Sequence, residues 1–105
     1  MLKTIKQLFG MGPKVDYAEL MKQGAIILDV RSKEEYSGGH IQGSINISLD
    51  QLPKNLPKVK DKSKPIITCC ASGMRSAAAK SVLKSNGYTQ VHNGGGWGTL
   101  QSKIR

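Results

Sequence analysis

Short apolar runs alternate with helix-like segments along this chain, and the alternation limits the folds that it can adopt. The run AIILDV, residues 25–30, is short and rich in β-branched residues, and it is bounded by Gly24 and Arg31. Such a run is typical of a strand buried on both faces, as in a parallel sheet. A similar run, PIITCC, occupies residues 65–70. We therefore predict an α/β fold with a small, mainly parallel central sheet flanked by helices.

The segment RSAAAKSVLKSNG, residues 75–87, is the strongest helix signal in the chain. It is rich in alanine, and Asn86-Gly87 is a typical C-terminal stop. Four apolar residues are predicted to share one face of this helix: Ala78, Ala79, Val82 and Leu83. The pattern predicts a helix that directly follows the strand at residues 65–70.

Caps and helix breakers indicate the other elements. Asp16 and Glu19 have capping-box spacing at the start of a helix. Pro53 and Pro57 allow helix only in pieces over residues 48–58. The remaining predicted elements are helices at residues 17–23, 32–39 and 97–105 and strands at residues 44–48 and 89–93.

The two cysteines, Cys69 and Cys70, are adjacent, and a disulfide between neighbours would close a strained ring. Two cysteines in 105 residues also do not form a disulfide scaffold. The only histidines are His40 and His92, and there is no CxxC pair, so the four ligands of a structural zinc site are lacking. We expect one domain over residues 1–105, with no metal and no cofactor.

The net charge is +9, and five lysines fall in residues 54–64, which we call the Lys54–Lys64 segment. This segment is either a solvated connection or a surface that steers an anion or an acidic partner protein. Nucleic-acid binding is not expected, because no tyrosine, tryptophan or phenylalanine lies among these lysines to stack on bases.

The first 13 residues, MLKTIKQLFGMGP, predict a short amphipathic helix that packs on the domain or lies on a membrane surface. Its apolar face would consist of Leu2, Ile5, Leu8 and Phe9. The segment lacks the continuous apolar run and the cleavage signal of a signal peptide, and no stretch of the chain is long and apolar enough to span a membrane. We expect a cytoplasmic monomer.

Cys70 lies where a predicted strand is followed by a helix, at the edge of the sheet where open α/β folds bind ligands. The cysteine loop, CASGMR at residues 70–75, would present backbone N–H groups and a helix N-terminus to an anion. The helix N-terminus and Arg75 are expected to lower the pKa of the Cys70 thiol, which would make it a nucleophile without a separate base. Cys69 should face the opposite side of the sheet, in the core.

Three stretches of the chain together resemble the rhodanese family of sulfurtransferases. They are LDVRSKEEYSGGHIQGSINIS at residues 28–48, CASGMRSAAAKSVLKSNGY at residues 70–88 and VHNGGGW at residues 91–97. The first is similar to the family's Asp-Val-Arg, Glu-aromatic and Gly-His-Ile pattern, the second to its catalytic loop and helix, and the third to its glycine-rich turn and tryptophan. Three matches in the family's order over residues 28–97 identify the chain as a single-domain rhodanese.

The resemblance implies that Cys70 attacks the sulfane sulfur of a donor such as thiosulfate, carries it as a persulfide and passes it to cyanide or a thiol. The cradle that binds the sulfur would be formed by Ala71, Ser72, Gly73, Met74 and Arg75. Asp29 and Arg31 would either support the active-site side of the domain or form a local ion pair.

Loop length separates two reactions among proteins that resemble this one. A six-residue loop, Cys-x4-Arg as in CASGMR, indicates sulfur transfer, whereas a seven-residue loop accommodates phosphate in related phosphatases. The loop therefore favours a sulfurtransferase over a phosphatase or an arsenate reductase. Ala71, Ser72 and Met74 are neutral, which leaves the donor open. The alternative is a persulfide carrier or protein-interaction module that delivers sulfur to one partner, has little activity on small donors and docks through the Lys54–Lys64 segment.

Other matched residues have structural interpretations. We expect His40 to hydrogen-bond to backbone in a turn and Glu35 to pair locally. Trp97 and Tyr88 are expected to pack in the core or at its rim. Gly94–Gly96 should permit close backbone approach near the cysteine loop.

Overall fold

Four parallel strands form a sheet with helices on both faces. A computed structural model describes residues 15–105. The strands are β1 (Ile26–Asp29), β2 (Ile45–Asn46), β3 (Ile66–Cys70) and β4 (Val91–Gly96). They lie in the order β2-β1-β3-β4, and every neighbouring pair is parallel. The prediction of an α/β fold with a parallel central sheet is confirmed.

The helices follow the predicted order. They are α1 (Tyr17–Lys22), α2 (Lys33–Ser37), α3 (Met74–Ser85) and α4 (Trp97–Lys103). Two 3₁₀ turns, Leu49–Lys54 and Leu56–Lys58, replace a regular helix where the two prolines occur. Within residues 15–105, no helix has the length and apolar character needed to cross a membrane. The predicted helix over residues 1–13 lies outside the described residues.

Caps define where α1 and α2 begin. The Asp16 side chain accepts the backbone N–H of Glu19, which confirms the predicted N-cap of α1. Ser32 and Glu35 form a full capping box at α2, in which each side chain accepts the backbone N–H of the other residue. Because Glu35 belongs to this cap, the local fold of α2 sets the position of its carboxylate.

The alternation of side chains along β1 and β3 divides the core between the two faces of the sheet. One core packs against α3, and its strand residues include Leu28, Ile66 and Cys70. The other packs against α1 and α4, and its strand residues include Ile27, Ile67 and Cys69. Cys69 and Cys70 therefore face opposite sides of the sheet, as predicted.

The outer strands differ from the prediction. β2 includes only two of the five residues 44–48 that were predicted as strand. Beyond the backbone pairing, the Asn46 side chain donates from Nδ2 to the carbonyl oxygens of Asp29 and Arg31, both at 3.0 Å. β4 starts two residues later than predicted and continues through Gly94–Gly96. Glycine disfavours strands, so the sequence did not indicate this extension.

The buried face of α3 also differs from the prediction. Ser76, Ala79 and Leu83 are its buried residues, whereas Ala78 is exposed. Ala79 and Leu83 follow Ser76 by three and seven residues, and this spacing places all three side chains on one face of the helix. The prediction gave weight to alanine as an apolar residue and did not consider a serine for the face that packs on the sheet.

Gly94 lies where β4 passes closest to β3 and α4. A Cβ atom at this position would come within 2.8 Å of Ile67 Cγ2 and within 2.9 Å of both Leu100 Cδ2 and the Thr68 carbonyl oxygen. These distances are too short for non-bonded carbon contacts. Only glycine therefore allows β4 to take its place in the sheet.

We expect Gly94→Ala to lower the free energy of unfolding by about 1–3 kcal/mol, because the added methyl group overpacks the core. Gly98→Ala is the matched control. Its Cβ would have no neighbour within 4 Å, and alanine favours α4, so stability should stay equal or rise by up to about 1 kcal/mol. Urea denaturation measures both variants, and similar midpoints for the two would contradict the assigned close contacts.

Candidate active site

The candidate site lies at the carboxyl end of the sheet, in the loop that joins β3 to α3. Gly73 is the N-cap of α3 and has a φ of +106°, in the left-handed region that favours glycine. A Cβ at Gly73 would lie 3.5 Å from Gly95 Cα, and a Cβ at Gly96 would lie 2.9 Å from the Ala71 carbonyl oxygen. The glycines of β4 thus pack against the cysteine loop, as predicted.

The Cys70 side chain is fully buried beneath the cysteine loop. Its Sγ accepts the backbone N–H of Gly73 at 2.9 Å and that of Ser76 at 3.4 Å. The thiol also lies 3.4 Å from the Ser76 hydroxyl oxygen. These N–H groups form the bonds because α3 begins directly after Gly73, which leaves the amides of its first turn free to bind the sulfur. Gly73 belongs to the expected cradle of residues 71–75, and Ser76 lies just outside it.

The two neighbouring thiols differ in acidity. Burial alone would raise the pKa of the Cys70 thiol, because it disfavours the charged form. Hydrogen bonds to the sulfur outweigh burial and lower this pKa; they come from the hydroxyl and N–H of Ser76 and the N–H groups of Gly73 and Ser72. Burial raises the pKa of the Cys69 thiol to about 12. Cys70 is therefore the thiol that ionises more readily.

Arg75 forms a bidentate ion pair with Glu35 of α2. Nη1 lies 2.6 Å from Oε1, and Nη2 lies 2.9 Å from Oε2. The same Oε1 accepts the backbone N–H of Ser32 at 3.0 Å. Glu35 thus has a partner 40 residues away as well as its expected local one. Among the groups that lower the pKa of the Cys70 thiol, the hydrogen bonds to its sulfur lead, and the expected contribution of Arg75 stays a prediction.

Asp29 and Arg31 form a buried ion pair at the end of β1. The Arg31 guanidinium donates to both carboxylate oxygens of Asp29, with Nη2 at 2.8 Å from Oδ2. It also donates to the carbonyl oxygens of Glu35 at 3.3 Å and Gly39 at 2.7 Å, and it stacks on the Trp97 ring at 4.7 Å. In the described part of the chain, no hydrogen bond joins this pair to the Cys70 sulfur. The local ion pair is present, and a supporting role for the site stays a prediction.

Two polar residues beside Cys70 were absent from the sequence-based set. The Ser76 hydroxyl donates to Asn93 Oδ1 at 2.6 Å, and Asn93 Nδ2 donates to the Gly73 carbonyl oxygen at 3.2 Å. The spacing of Ser76 from Ala79 offered a signal, because a serine on a buried helix face needs a hydrogen-bond partner. No sequence signal identified Asn93, which reaches the site only through β4.

The rim of the cysteine loop is neutral and exposed. Ala71, Ser72 and Met74 all point to solvent, and Met74 is 82% exposed. Arg75, the charged residue of the loop, is held by Glu35. In the described part of the chain, no three His, Cys, Asp or Glu residues lie close enough together to hold a metal ion.

Three other expectations about aromatic residues and histidine are confirmed. Tyr88 is buried and donates its hydroxyl to the Val59 carbonyl oxygen at 2.7 Å. Trp97 packs against the core on the α4 side of the sheet. His40 is exposed, and its Nδ1 lies 2.7 Å from the Tyr36 carbonyl oxygen. Each of the three side chains therefore packs in the core or hydrogen-bonds to the backbone, as expected.

The second half of the Lys54–Lys64 segment lies away from the candidate thiol. The Lys62 carbonyl oxygen accepts the Thr89 backbone N–H at 3.3 Å, and the Ser63 carbonyl oxygen accepts Gln90 Nε2 at 2.9 Å. These contacts lie where β3 and β4 begin, whereas the thiol lies where β3 ends. This half of the segment therefore does not line the mouth of the cysteine loop.

The ion pair of Glu35 and Arg75 predicts a specific acid dependence of stability. Hydrogen bonds from Arg75 and Ser32 lower the pKa of Glu35 from 4.5 to about 2. Stability from the ionised carboxylate is therefore fully present above pH 4.5 and is lost as the pH falls towards 2. We expect Glu35→Gln to lower the melting temperature at pH 6, with a difference from wild type that shrinks on acidification.

Glu34→Gln is the matched control for this measurement, since Glu34 is exposed and lies in the same turn of α2. Its melting temperature should follow that of the wild type at each pH. A constant difference between Glu35→Gln and wild type from pH 6 to pH 3 would contradict the assigned ion pair.

Residues 14–100 match the family model of the rhodanese-like domain. The chain is 40% identical over 70 residues to thiosulfate sulfurtransferase PspE of Escherichia coli, which covers 66% of this chain and 67% of PspE. An E. coli rhodanese structure with anions is 36% identical, with a TM-score of 0.67, and the match covers 71% of this chain and 89% of that one.

A human relative has a similar fold. The structure of the human single-domain sulfurtransferase TSTD1 has a TM-score of 0.70 and 28% identity, over 81% of this chain and 88% of that chain. Among the curated relatives compared, the match spans between 21% and 67% of the relative's own length. Because the family model extends from before β1 to the middle of α4, the chain belongs to the rhodanese-like sulfurtransferase family.

Proposed function

We propose that this protein transfers a sulfane sulfur from a donor such as thiosulfate to a thiol or cyanide acceptor through a persulfide on Cys70. The observation that carries the proposal is the hydrogen bonding of the Cys70 sulfur, which favours its ionised, nucleophilic form. The name of PspE, a thiosulfate sulfurtransferase, supports thiosulfate as a donor. The buried thiol of Cys69, with its raised pKa, is a poor nucleophile by comparison.

The proposed reaction has two balanced half-reactions. The Cys70 thiolate attacks the outer sulfur of thiosulfate, the S–S bond of the donor breaks, and its electron pair leaves with sulfite. Cyanide or a thiolate then attacks the outer sulfur of the persulfide, and the electron pair of that S–S bond returns to Cys70 as thiolate. The products are thiocyanate or an acceptor persulfide, and the chemistry needs no metal or cofactor.

The N–H groups of Gly73 and Ser76 suit this chemistry. Both donate to the Cys70 sulfur, where negative charge is present before attack and returns at the end of the cycle. Fixed backbone dipoles stabilise such charge without reorganising at the moment of reaction. A donor reaches the sulfur only when the cysteine loop opens or the side chain turns outward, because Cys70 is fully buried.

A second candidate function is favoured by the neutral rim of the cysteine loop. Thiosulfate carries two negative charges, but Arg75 is paired with Glu35, and Met74 presents an exposed apolar side chain. A persulfide carrier that exchanges sulfur with a partner protein would use such a rim for contact. An acidic partner bound to the second half of the Lys54–Lys64 segment would dock at the opposite edge of the sheet from Cys70.

We further propose that the protein acts as one domain and as a monomer in the cytoplasm. Gly73 and Ser76, whose N–H groups donate to the Cys70 sulfur, belong to the same domain as Cys70. Both cysteines are free, and the reducing cytoplasm preserves thiols.

Mass spectrometry tests the covalent step. After incubation with thiosulfate, we expect a mass increase of about 32 Da, one sulfur atom, on the peptide that contains Cys70. Cys70→Ser should lose the adduct, and the matched variant Cys69→Ser should keep it. An adduct that survives in Cys70→Ser and is lost in Cys69→Ser would show that Cys69 carries the sulfur, which would contradict the proposal.

Steady-state turnover with thiosulfate and cyanide separates the two candidate functions. A sulfurtransferase of small donors should produce thiocyanate continuously, whereas a carrier should form the Cys70 adduct with little turnover. If the neutral rim limits thiosulfate binding, Met74→Lys should lower the KM for thiosulfate, because it adds an unpaired positive charge at the loop. Met74→Gln is the neutral control, and an equal change in both variants would reject this electrostatic explanation.

A further inference from the structure

The Ser76 hydroxyl has more acceptors within reach than it can serve. Its oxygen lies 2.6 Å from Asn93 Oδ1, 3.1 Å from the Gly73 carbonyl oxygen and 3.4 Å from the Cys70 sulfur. A serine hydroxyl has one proton to donate. Ser76 and Cys70 are both fully buried, so water does not supply the missing bonds at their surface. The direction of one hydroxyl proton therefore distinguishes two states of the site.

In the neutral state, the proton of the Cys70 thiol points to the Ser76 oxygen at 3.4 Å. The Ser76 hydroxyl then donates to Asn93 Oδ1, its shortest contact at 2.6 Å. This chain of donors satisfies the thiol, the hydroxyl and the amide oxygen together. It stabilises the thiol in its protonated form, because the lone pairs of Ser76 face the sulfur.

Two further hydrogen bonds hold the Asn93 side chain in this orientation. Its Oδ1 accepts the Gly95 backbone N–H at 3.0 Å, and its Nδ2 donates to the Gly73 carbonyl oxygen at 3.2 Å. Rotation of the amide by half a turn would exchange donor and acceptor and disrupt both bonds. The amide oxygen is thus kept facing Ser76.

Ionisation of Cys70 changes the role of the Ser76 hydroxyl toward the sulfur from hydrogen-bond acceptor to donor. A thiolate only accepts hydrogen bonds, so the hydroxyl serves it by turning its proton from Asn93 to the sulfur. Asn93 Oδ1 keeps the Gly95 N–H and is not left without a partner. The amide oxygen is too weak a base to take a proton, so the thiol proton leaves to solvent or substrate, and the hydroxyl rotates without relaying it.

We propose that Asn93 is a positioning residue that acts through Ser76, and that it holds the hydroxyl proton away from the sulfur until Cys70 ionises. Asn93 and the thiolate compete for this one proton. This inference rests on the proposed function in that the thiolate is the attacking species. Its test reads the ionisation of Cys70 directly and stays valid even if no sulfur is transferred.

Few charged groups compete with this effect. Arg75 of α3 interacts electrostatically with Cys70, but Glu35 of α2 compensates its charge. Cys69, the neighbour on β3, has a pKa of about 12 and is neutral at physiological pH. A change in the hydroxyl of Ser76 should therefore be visible in the titration of Cys70.

The experiment is a double-mutant cycle on the pH dependence of Cys70 alkylation by iodoacetamide, in a Cys69→Ser background. Asn93→Ala should move the pH midpoint downward, because the hydroxyl loses its shortest acceptor and the thiolate accepts its proton more strongly than the neutral Gly73 carbonyl oxygen, which remains at 3.1 Å. Below the midpoint, the alkylation rate should rise by about threefold to tenfold, the effect of one hydrogen bond. Ser76→Ala should move the midpoint upward, and adding Asn93→Ala to it should have no further effect.

Outcomes that contradict the proposal are equally specific. If Asn93→Ala shifts the midpoint equally with and without the Ser76 hydroxyl, Asn93 acts through the shape of the loop. An upward shift, or no shift in either background, would also reject the proposal. Ser81→Ala is the matched serine control, because Ser81 is exposed on the same helix, and it should leave the midpoint unchanged.

A second variant covers the case in which Asn93→Ala does not fold, as judged by thermal unfolding. Asn93→Asp keeps the size and the acceptor oxygen, and its charge makes it a stronger acceptor for Ser76. The midpoint should rise more in the presence of Ser76 than in Ser76→Ala, where only the through-space effect of the charge acts. Equal rises in both would overturn the proposal.

Discussion

The buried ion pair of Asp29 and Arg31 is the interaction on which the arrangement of the elements around the candidate site depends. Both side chains are almost completely shielded from water, so losing either one would leave a buried charge without its partner. Arg31 uses its remaining donors on the backbone of α2 and of the turn after it, and its flat face covers Trp97 at the start of α4. One guanidinium thus joins the end of β1 to α2 and to the start of α4.

The position of α2 in turn determines that Arg75 forms an ion pair with Glu35. The capping box places the Glu35 carboxylate at the start of α2, and the carboxylate reaches across to the first turn of α3. A paired arginine orders the end of the cysteine loop but contributes less positive charge to it. The site then depends on neutral groups around Cys70: the amides of Gly73 and Ser76 donate to its sulfur, and the Ser76 hydroxyl oxygen lies 3.4 Å from it. Hydrogen bonds of this kind suit a small sulfur anion, because they are directed at one atom.

Close packing of the β4 backbone against β3 and the cysteine loop also shapes the candidate site. Gly94 lets β4 approach β3 within distances that a side chain would prevent, and Gly96 does the same against the cysteine loop. Asn93, directly before these glycines, is brought to Ser76 at 2.6 Å as a result. The glycine run thus has a consequence for the site that its conformational freedom alone would not indicate.

The sequence by itself determined the class of fold, the order of the elements and the identity of the candidate nucleophile. Buried runs such as residues 65–70, the caps of α1 and the spacing in the cysteine loop are local patterns, and local patterns reflect propensities of neighbouring residues. The opposite facing of Cys69 and Cys70 follows in the same way from strand geometry. Only the tertiary structure decided that Arg75 pairs with Glu35, and that Asn93 reaches Ser76. These contacts join residues 40 and 17 positions apart, and their partners are set by how whole elements pack, which no local pattern encodes.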